Sequence, residues 1–594
     1  MSAPQAAIQE LAVNPVTLEV VRNALIAIVN EMTSNLTRTS YSPIISEIKD
    51  FGVGFVDARA RSIAQTLAGL PVFLADLGPP IADSLALHGP EGLEPGDVLL
   101  SNYSGVNGQH LNNVVAHSPI FVAGELLAFP AVRAHWIDVG GKVSGSLAHD
   151  SREIFEEGLQ LRSVKVYRRG LPDQDIVRII RHNVRFPDLI LGDMRAQISA
   201  CRLGEKRFTE LVARYGKETV FACIQRIWDE AELLTRRAVE AIPDGIFMAE
   251  TFLDNDGVNL RQPIPLKVRV IVEGSEMTVD FSEMPRQVSG PYNSRGAVGA
   301  ARVAFKCLTC PMLPANDGCF RNLKVVAPEG TILSADENAA MGWWMMPIVS
   351  VIDLILKALH PAIPEQVTAG HYANISGAMF MGVNPRSGRR FHIMDPEIGG
   401  WGATSKHDGM NAVVSLNQGD VHNLPVETEE TTYPVRVREF RLRQDSGGPG
   451  RFRGGLGVVR ATEALAPCEY MGQYERVQAP PWGLAGGGEG KVNRVTLRRH
   501  PEAAEEELAL KLVNYPLQPQ HVVTLSSPGG GGYGPAWERD VESVRRDVLD
   551  GYVSREQARD DYGVVLRDGT LEVDEEATRA RRRHLGGRDQ PAAA

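Results

Sequence analysis

The period of the apolar residues changes at Ile242-Pro243-Asp244-Gly245, and that change constrains the fold more than any other feature of the sequence. Upstream, Leu18, Val21, Leu25, Val29, Met32 and Leu36 recur at steps of three and four, one apolar face of a helix that Asn14 caps and Pro15 opens. The stretches 188–215 and 217–241 read as two more helices. Downstream, Val268, Val270 and Val272, then Met277, Val279 and Phe281, alternate at period two, as half-buried strands do. Strands are also expected at 51–57 and 97–103, and at 114–121 and 125–132 as a hairpin turning near Gly124. The expected class is α+β. An N-terminal domain of helices and sheet covers 1–243, a strand-rich domain covers 244–535, and a charged helical tail covers 536–594. Two helices, near 297–308 and 347–358, interrupt the strand-rich part.

Composition narrows the function. The 594 residues carry a net charge of −11, and the densest basic run, at 579–583, is short. Nucleic acid is therefore not expected as a partner, because neutralising phosphates needs a basic face. Six cysteines are too few for a secreted disulfide scaffold. No apolar run is long enough to span a membrane, and residues 1–13 hold Glu10 but no Lys or Arg, unlike a signal peptide. A cytoplasmic globular protein is expected. Of the 58 glycines, those at 447–450, 454–455, 486–490 and 529–532 are grouped, and turns are expected there.

Gly486–Lys491 (GGGEGK) resembles a phosphate loop but fails as one. Ala485 stands where its first glycine should be, and Val492 replaces the Ser or Thr that would hold magnesium. Cys307-x-x-Cys310 with Cys319 lacks a fourth zinc ligand, so buried, unlinked thiols are expected there. Met341–Pro347 (MGWWMMP) reads as core packing or as an aromatic pocket wall. The loop residues Asp395, Glu397, His407 and Asp408 are expected to face solvent, and Asp193 and Arg195 to serve an ion pair or an interface.

A polar cluster in the first domain carries the chemistry. His110 follows the 97–103 strand, and His135 and Asp138 stand in a Gly-containing segment 25 and 28 residues later. Two imidazoles and a carboxylate suit general acid–base work or a divalent cation. Spacing alone favours reading the pair as ordinary histidines hydrogen-bonded in loops, since nothing local fixes their proximity.

From Asn14-Pro15-Val16-Thr17 through Arg133–Gly141, Gly192–Gln197, Asn316–Phe320, Gly399–Gly402 and Asp445–Gly457 to Asp550–Ser554, the chain resembles the hydantoinase B family. That family includes the B-type chains of hydantoinases, the alpha subunit of acetone carboxylase, acetophenone carboxylase subunits and the C-terminal part of 5-oxoprolinase. The resemblance implies a divalent metal, manganese or zinc, on Asp50, His110, Asn113 and His135. It also implies a hydantoinase A-type partner that binds ATP and phosphorylates the carbonyl oxygen of a ketone or cyclic amide. This chain departs from the family at Tyr103 and Asn113, where Asp is usual, and at Trp136, where His is usual. An Asn carbonyl still ligates a hard cation but brings no charge, which weakens metal affinity. Water activation for hydrolysis relies on a full ligand set, whereas carboxylation needs water kept out. The degraded ligand set therefore points to carboxylation of an activated ketone, of the acetophenone or acetone type. A cyclic imide or lactam hydrolase is the alternative. The third reading is a structural subunit, with the active site on a paralogous chain.

Overall fold

The antiparallel eight-stranded sheet of the first half grows from the long strand Glu125–His135. Phe51–Asp57 pairs along one edge of it, and Asn113–His117 and Ile120–Val122 share the other. The computed structural model describes residues 13–375 and 377–586; the leader reading of residues 1–12 and the end of the tail, 587–594, lie outside the described residues. The expected hairpin joins Ile120–Val122 to Glu125–His135 through Ala123 (φ 52°) and Gly124 (φ 82°), the two left-handed residues such a tight turn needs.

Helices Pro15–Thr39 and Pro187–Tyr215 pack together over this sheet, with Asn14 accepting from the Val16 amide at 2.8 Å as the expected cap. Gln197 of the second helix pins two strands. Its amide nitrogen donates to the carbonyls of Val114 and Val132 at 2.9 and 3.0 Å, and its Oε1 accepts from the Trp136 indole. Asp193, one turn earlier, accepts from the amides of Tyr41 and Ser42, so it clamps backbone and makes no ion pair.

One apolar core continues across 243/244, from Leu18 to Met471. Beyond the breaker come a four-stranded sheet from Gly245–Leu253 to Leu323–Val326, another built on Met379–Val383, and a five-stranded sheet built on Val458–Ala464. The two expected helices form at Ala297–Thr309 and Met345–Leu359; they pack on one another, and the second is buried along nearly its whole length. The tail forms three short helices with a small core of Val544, Val553, Ala558, Tyr562 and Val564. Arg539 ties it back by bidentate pairing with Asp408, which is exposed, as expected, while making this contact. Among the described residues no helix is long and apolar enough to cross a membrane.

The glycine clusters need correcting. Of the four, only Gly486 has a positive φ. The others are neither helix nor strand, and their backbones hydrogen-bond across the clusters and to Trp401: Gly448 donates to Gly530, Gly530 to Gly455, Gly455 to Trp401 and Gly532 to Gly488, at 2.8 to 2.9 Å. A β-carbon on Gly400 would sit 1.9 Å from the Gly455 carbonyl oxygen, and one on Gly530 would sit 2.0 Å from that of Trp401. These glycines permit backbones to touch. The bundle also anchors the segment at 370–375, since Tyr372 donates to Gly400 and Gly531 donates to Gly370.

Candidate active site

Asp50, His110 and His135 come together at one small cavity of about 50 Å³. Each is placed by a different element. Asp193 fixes the Tyr41-Ser42 turn that starts the short helix Pro43–Ser46, and the chain then reaches Asp50 through Lys49, held at φ 67°. The Asp50 carbonyl accepts from the His135 amide at 3.1 Å, so the two residues sit against each other. His135 ends its strand directly opposite Asn113, the first residue of the neighbouring strand. His110 lies three residues before Asn113, and the two imidazoles meet edge to face with ring centres 4.9 Å apart. Strand register therefore supplies the proximity that spacing left open.

The cavity's polar atoms lack partners. Asp50 Oδ1, His110 Nε2 and both ring nitrogens of His135 are buried without a hydrogen bond; so is the carbonyl oxygen of Asn113, the fourth residue of the expected ligand set, which does not line the cavity. Buried polar atoms are normally paired, so such a cluster marks a place for a ligand. Burial pushes the Asp50 carboxyl up to about 7. It pulls His110 down to about 4 against the opposing pull of Gly342 and Asn113, and it holds His135 well below the usual imidazole range. Both rings are neutral at pH 7, the form that ligates metals and accepts protons.

The tautomer of His110 follows from geometry. Its Nδ1 lies 3.2 Å from the Gly342 carbonyl, which only accepts, so Nδ1 carries the hydrogen and Nε2 is left with its lone pair. Gly342 is in turn held by Glu157, whose Oε1 accepts from the amides of Met341 and Gly342, each at 2.8 Å. Burial raises Glu157 to about 8, against the pull of those amides, so at neutral pH it is largely a protonated acid. A carboxyl whose folded value lies above its unfolded 4.5 contributes most below pH 4.5, and that stabilisation is lost as pH rises toward 8. Glu157→Gln, which mimics the protonated form, is expected to keep activity and flatten this decline in denaturation midpoints. Glu157→Ala strands two amides and is expected to cost about 2–4 kcal/mol and to lower turnover by releasing His110.

Asp138 is placed elsewhere. Its carboxylate is fully buried and accepts from the amides of Gly140, Gly145 and Arg185 and from the Arg185 guanidinium, and it does not line the cavity. It shapes the glycine loop that brings Leu147 to the cavity, a positioning role in place of the expected catalytic one. Asp395 and Glu397, expected to face solvent, are buried, Asp395 pairing with Arg460 and Glu397 with Asn374. Cys310 and Cys319 are buried free thiols as expected, while Cys307 is exposed.

Sequence reasoning missed most of the wall. Trp343, Met345 and Met346 come from the stretch read as core or pocket, and Met379, Met394 and Gln418 from strands and loops that carried no signal. A third imidazole, His392, stands close enough to disfavour charge on His135.

Oxygen and nitrogen donors of this kind are the types that ligate a divalent cation such as manganese or zinc, and these atoms lack any other partner. Among the described residues no three His, Cys, Asp or Glu side chains stand at metal-holding spacing, so this is a donor set and not a closed cage.

Comparison with known proteins places the chain as a whole. The pattern of the Hydantoinase B/oxoprolinase family matches residues 14–536. The B chain of a putative D-/L-hydantoinase from a Pseudomonas strain is 32% identical over 95% of this chain and 97% of its own length. The crystal structure of ATP-dependent caprolactamase from Pseudomonas jessenii superposes with a TM-score of 0.91 at 31% identity, covering 96% of this chain and all of that one. A nucleotide-free acetone carboxylase structure shares the fold at a TM-score of 0.90 and 20% identity, covering 98% of this chain and 84% of the other.

Proposed function

We propose, from the premise that this chain belongs to the Hydantoinase B/oxoprolinase family, that it is the ring-opening subunit of an ATP-dependent enzyme acting on cyclic amides. A separate chain binds ATP and activates the carbonyl, in line with the failed phosphate loop at Gly486–Lys491. The single observation that carries the assignment is the group of unpartnered donors on Asp50, His110 and His135 at one cavity. The hydantoinase and caprolactamase relatives, both above 30% identity, favour hydrolysis over carboxylation.

Asp50, His110, Asn113 and His135 would hold a divalent cation, which supplies polarisation of a carbonyl and a more acidic bound water. The protein's own contribution is separate. Glu157 and Gly342 fix the His110 tautomer so that Nε2 faces the reacting group, either as a donor to the cation or as acceptor of a proton from water. Trp343 and the methionines keep bulk water out. Asn113→Asp restores a negative donor and is expected to tighten manganese or zinc binding by about tenfold or more, read by titration calorimetry. Gln109, whose Oε1 now accepts from the Asn113 amide, can turn its own amide to donate instead.

Carboxylation of an activated ketone is the second reading, favoured by the water-excluding apolar wall and by the uncharged Asn113. Product analysis of the complex with its nucleotide-binding partner decides between them. Ring opening that consumes ATP and ignores bicarbonate supports hydrolysis. Bicarbonate-dependent consumption of an aryl ketone, with no ring opening, supports carboxylation.

A further inference from the structure

Among the described residues, the side chains that bring nitrogen or oxygen to the cavity are Asp50, His110, His135, Trp343 and Gln418. The first three belong to the set placed above around a cation. Trp343 and Gln418 stand outside it. The Trp343 backbone is fixed, its amide donating to the Pro291 carbonyl at 2.8 Å, one residue beyond the Gly342 that Glu157 holds. Its indole N–H is buried without a partner. The indole N–H of Trp344 is unpaired too, but that ring does not line the cavity. Gln418 sits on a loop tied to the segment that leads to Asp50, since the His422 amide donates to the Ile48 carbonyl at 2.9 Å. Its Oε1 accepts from the Ser415 amide at 3.3 Å and from the Ser415 hydroxyl at 2.9 Å. A backbone amide only donates, so the oxygen of Gln418 is the atom that faces Ser415, and Nε2 is left over. Among the described residues nothing accepts from that Nε2.

N–H groups do not ligate a cation; they call for an acceptor. The indole offers one hydrogen and the amide two, whereas a carbonyl oxygen has two lone pairs, so a single oxygen cannot satisfy them. The rest of the wall is apolar and deformable, with Met345, Met346, Met379 and Met394. At about 50 Å³ the space holds a few waters, against the roughly 150 Å³ that admits a benzene ring. A ring enters only if side chains give way, and methionine, unbranched with three rotatable bonds, gives way at least cost.

We propose that Trp343 and Gln418 bind a second acceptor oxygen of the substrate, apart from the reacting carbonyl, and so make this chain prefer cyclic imides to lactams, which lack that oxygen. The inference rests on the ring-opening reading above. A lactam that displaces the water in the cavity leaves these N–H groups buried and unpaired. A site built around hydrogen bonds discriminates against the analogue that lacks the partner atom.

The test uses the complex with its nucleotide-binding partner and two six-membered rings, glutarimide and 2-piperidone, which differ by one carbonyl oxygen. An imide is intrinsically the more reactive, so the readout is how far each substitution changes the ratio of the two kcat/KM values. Trp343→Phe and Gln418→Met each remove the N–H and keep an apolar side chain of similar shape. Each is expected to lower the glutarimide-to-piperidone ratio by about tenfold, chiefly through a higher KM for glutarimide. Altered wall shape or a weakened fold moves both rings together and leaves the ratio where it was. An unchanged ratio in both variants therefore overturns the inference. Gln418 lies on a loop, and its variant decides alone if Trp343→Phe does not fold. A wild-type complex that opens 2-piperidone at least as efficiently as glutarimide also overturns it. Both results leave the ring-opening reading in place. If neither ring opens, that reading falls and takes this inference with it.

Discussion

Replacing His110 by alanine is expected to slow ring opening by about 100-fold or more, while the nucleotide-binding partner goes on cleaving ATP. The imidazole is held at Nδ1 by the Gly342 carbonyl and leaves Nε2 at the cavity without a partner. A factor of 100 corresponds to about 2.7 kcal/mol of transition-state stabilisation, within the range for one positioned proton acceptor or metal ligand. The ring is buried but small, and its packing partners are His135 and Trp344, both carried on rigid elements, so the fold should survive the change. The readout is the ratio of ATP cleaved to ring opened. A ratio that climbs in His110→Ala locates the loss after carbonyl activation. Unchanged coupled turnover in both His110→Ala and His135→Ala would make this chain a scaffold for a paralogous active chain.

The second large effect is on stability. Gly530→Ala is expected to prevent folding of the second half or to cost about 3 kcal/mol or more, because the new carbon would stand 2.0 Å from the Trp401 carbonyl oxygen and 2.2 Å from its carbon. Those are backbone atoms fixed by the bundle, so no side chain can rotate away. Gly274→Ala is the control: its φ is 57°, yet nothing lies within 4 Å of the added carbon. It should cost about 1–2 kcal/mol through conformation alone. Solubility, circular dichroism and denaturation midpoints separate the two. Comparable, mild effects from both substitutions would mean that the glycine segments are loosely packed. Activity is coupled to this bundle, since it anchors the segment that carries Ile375 to the cavity.

How much of this was legible in the sequence depends on what kind of interaction sets each feature. The helix Pro15–Thr39 follows from apolar period and capping, which are local, and the strand at Phe51–Asp57 from its short apolar run. The meeting of His110, Asn113 and His135 depends on the pairing of Asn113 with His135 across two strands. Those positions are 22 residues apart, and no local rule gives that register. The glycine bundle is not legible because side-chain-free backbone packed on backbone has neither helical nor strand period, and glycine clusters most often mean turns. Asp138 carried a usable signal that was passed over. A short acidic side chain two residues before Gly140-Gly141 commonly accepts backbone amides, and that is its role here. Glu157 acts on His110 only through the backbone of Gly342, and a contact of that kind leaves no residue-type pattern to find.

Everything proposed for this chain requires the reacting carbonyl to occupy the cavity between Asp50, His110 and the methionine wall. The most direct measurement is a structure of the complex with its nucleotide-binding partner, a bound lactam and an ATP analogue that cannot be cleaved. The expected result is the ring in this cavity, its carbonyl side toward His110 Nε2 and the side chains of Met345 or Met379 displaced to admit it. A lactam bound on the partner alone, with the cavity of this chain still closed, would contradict it.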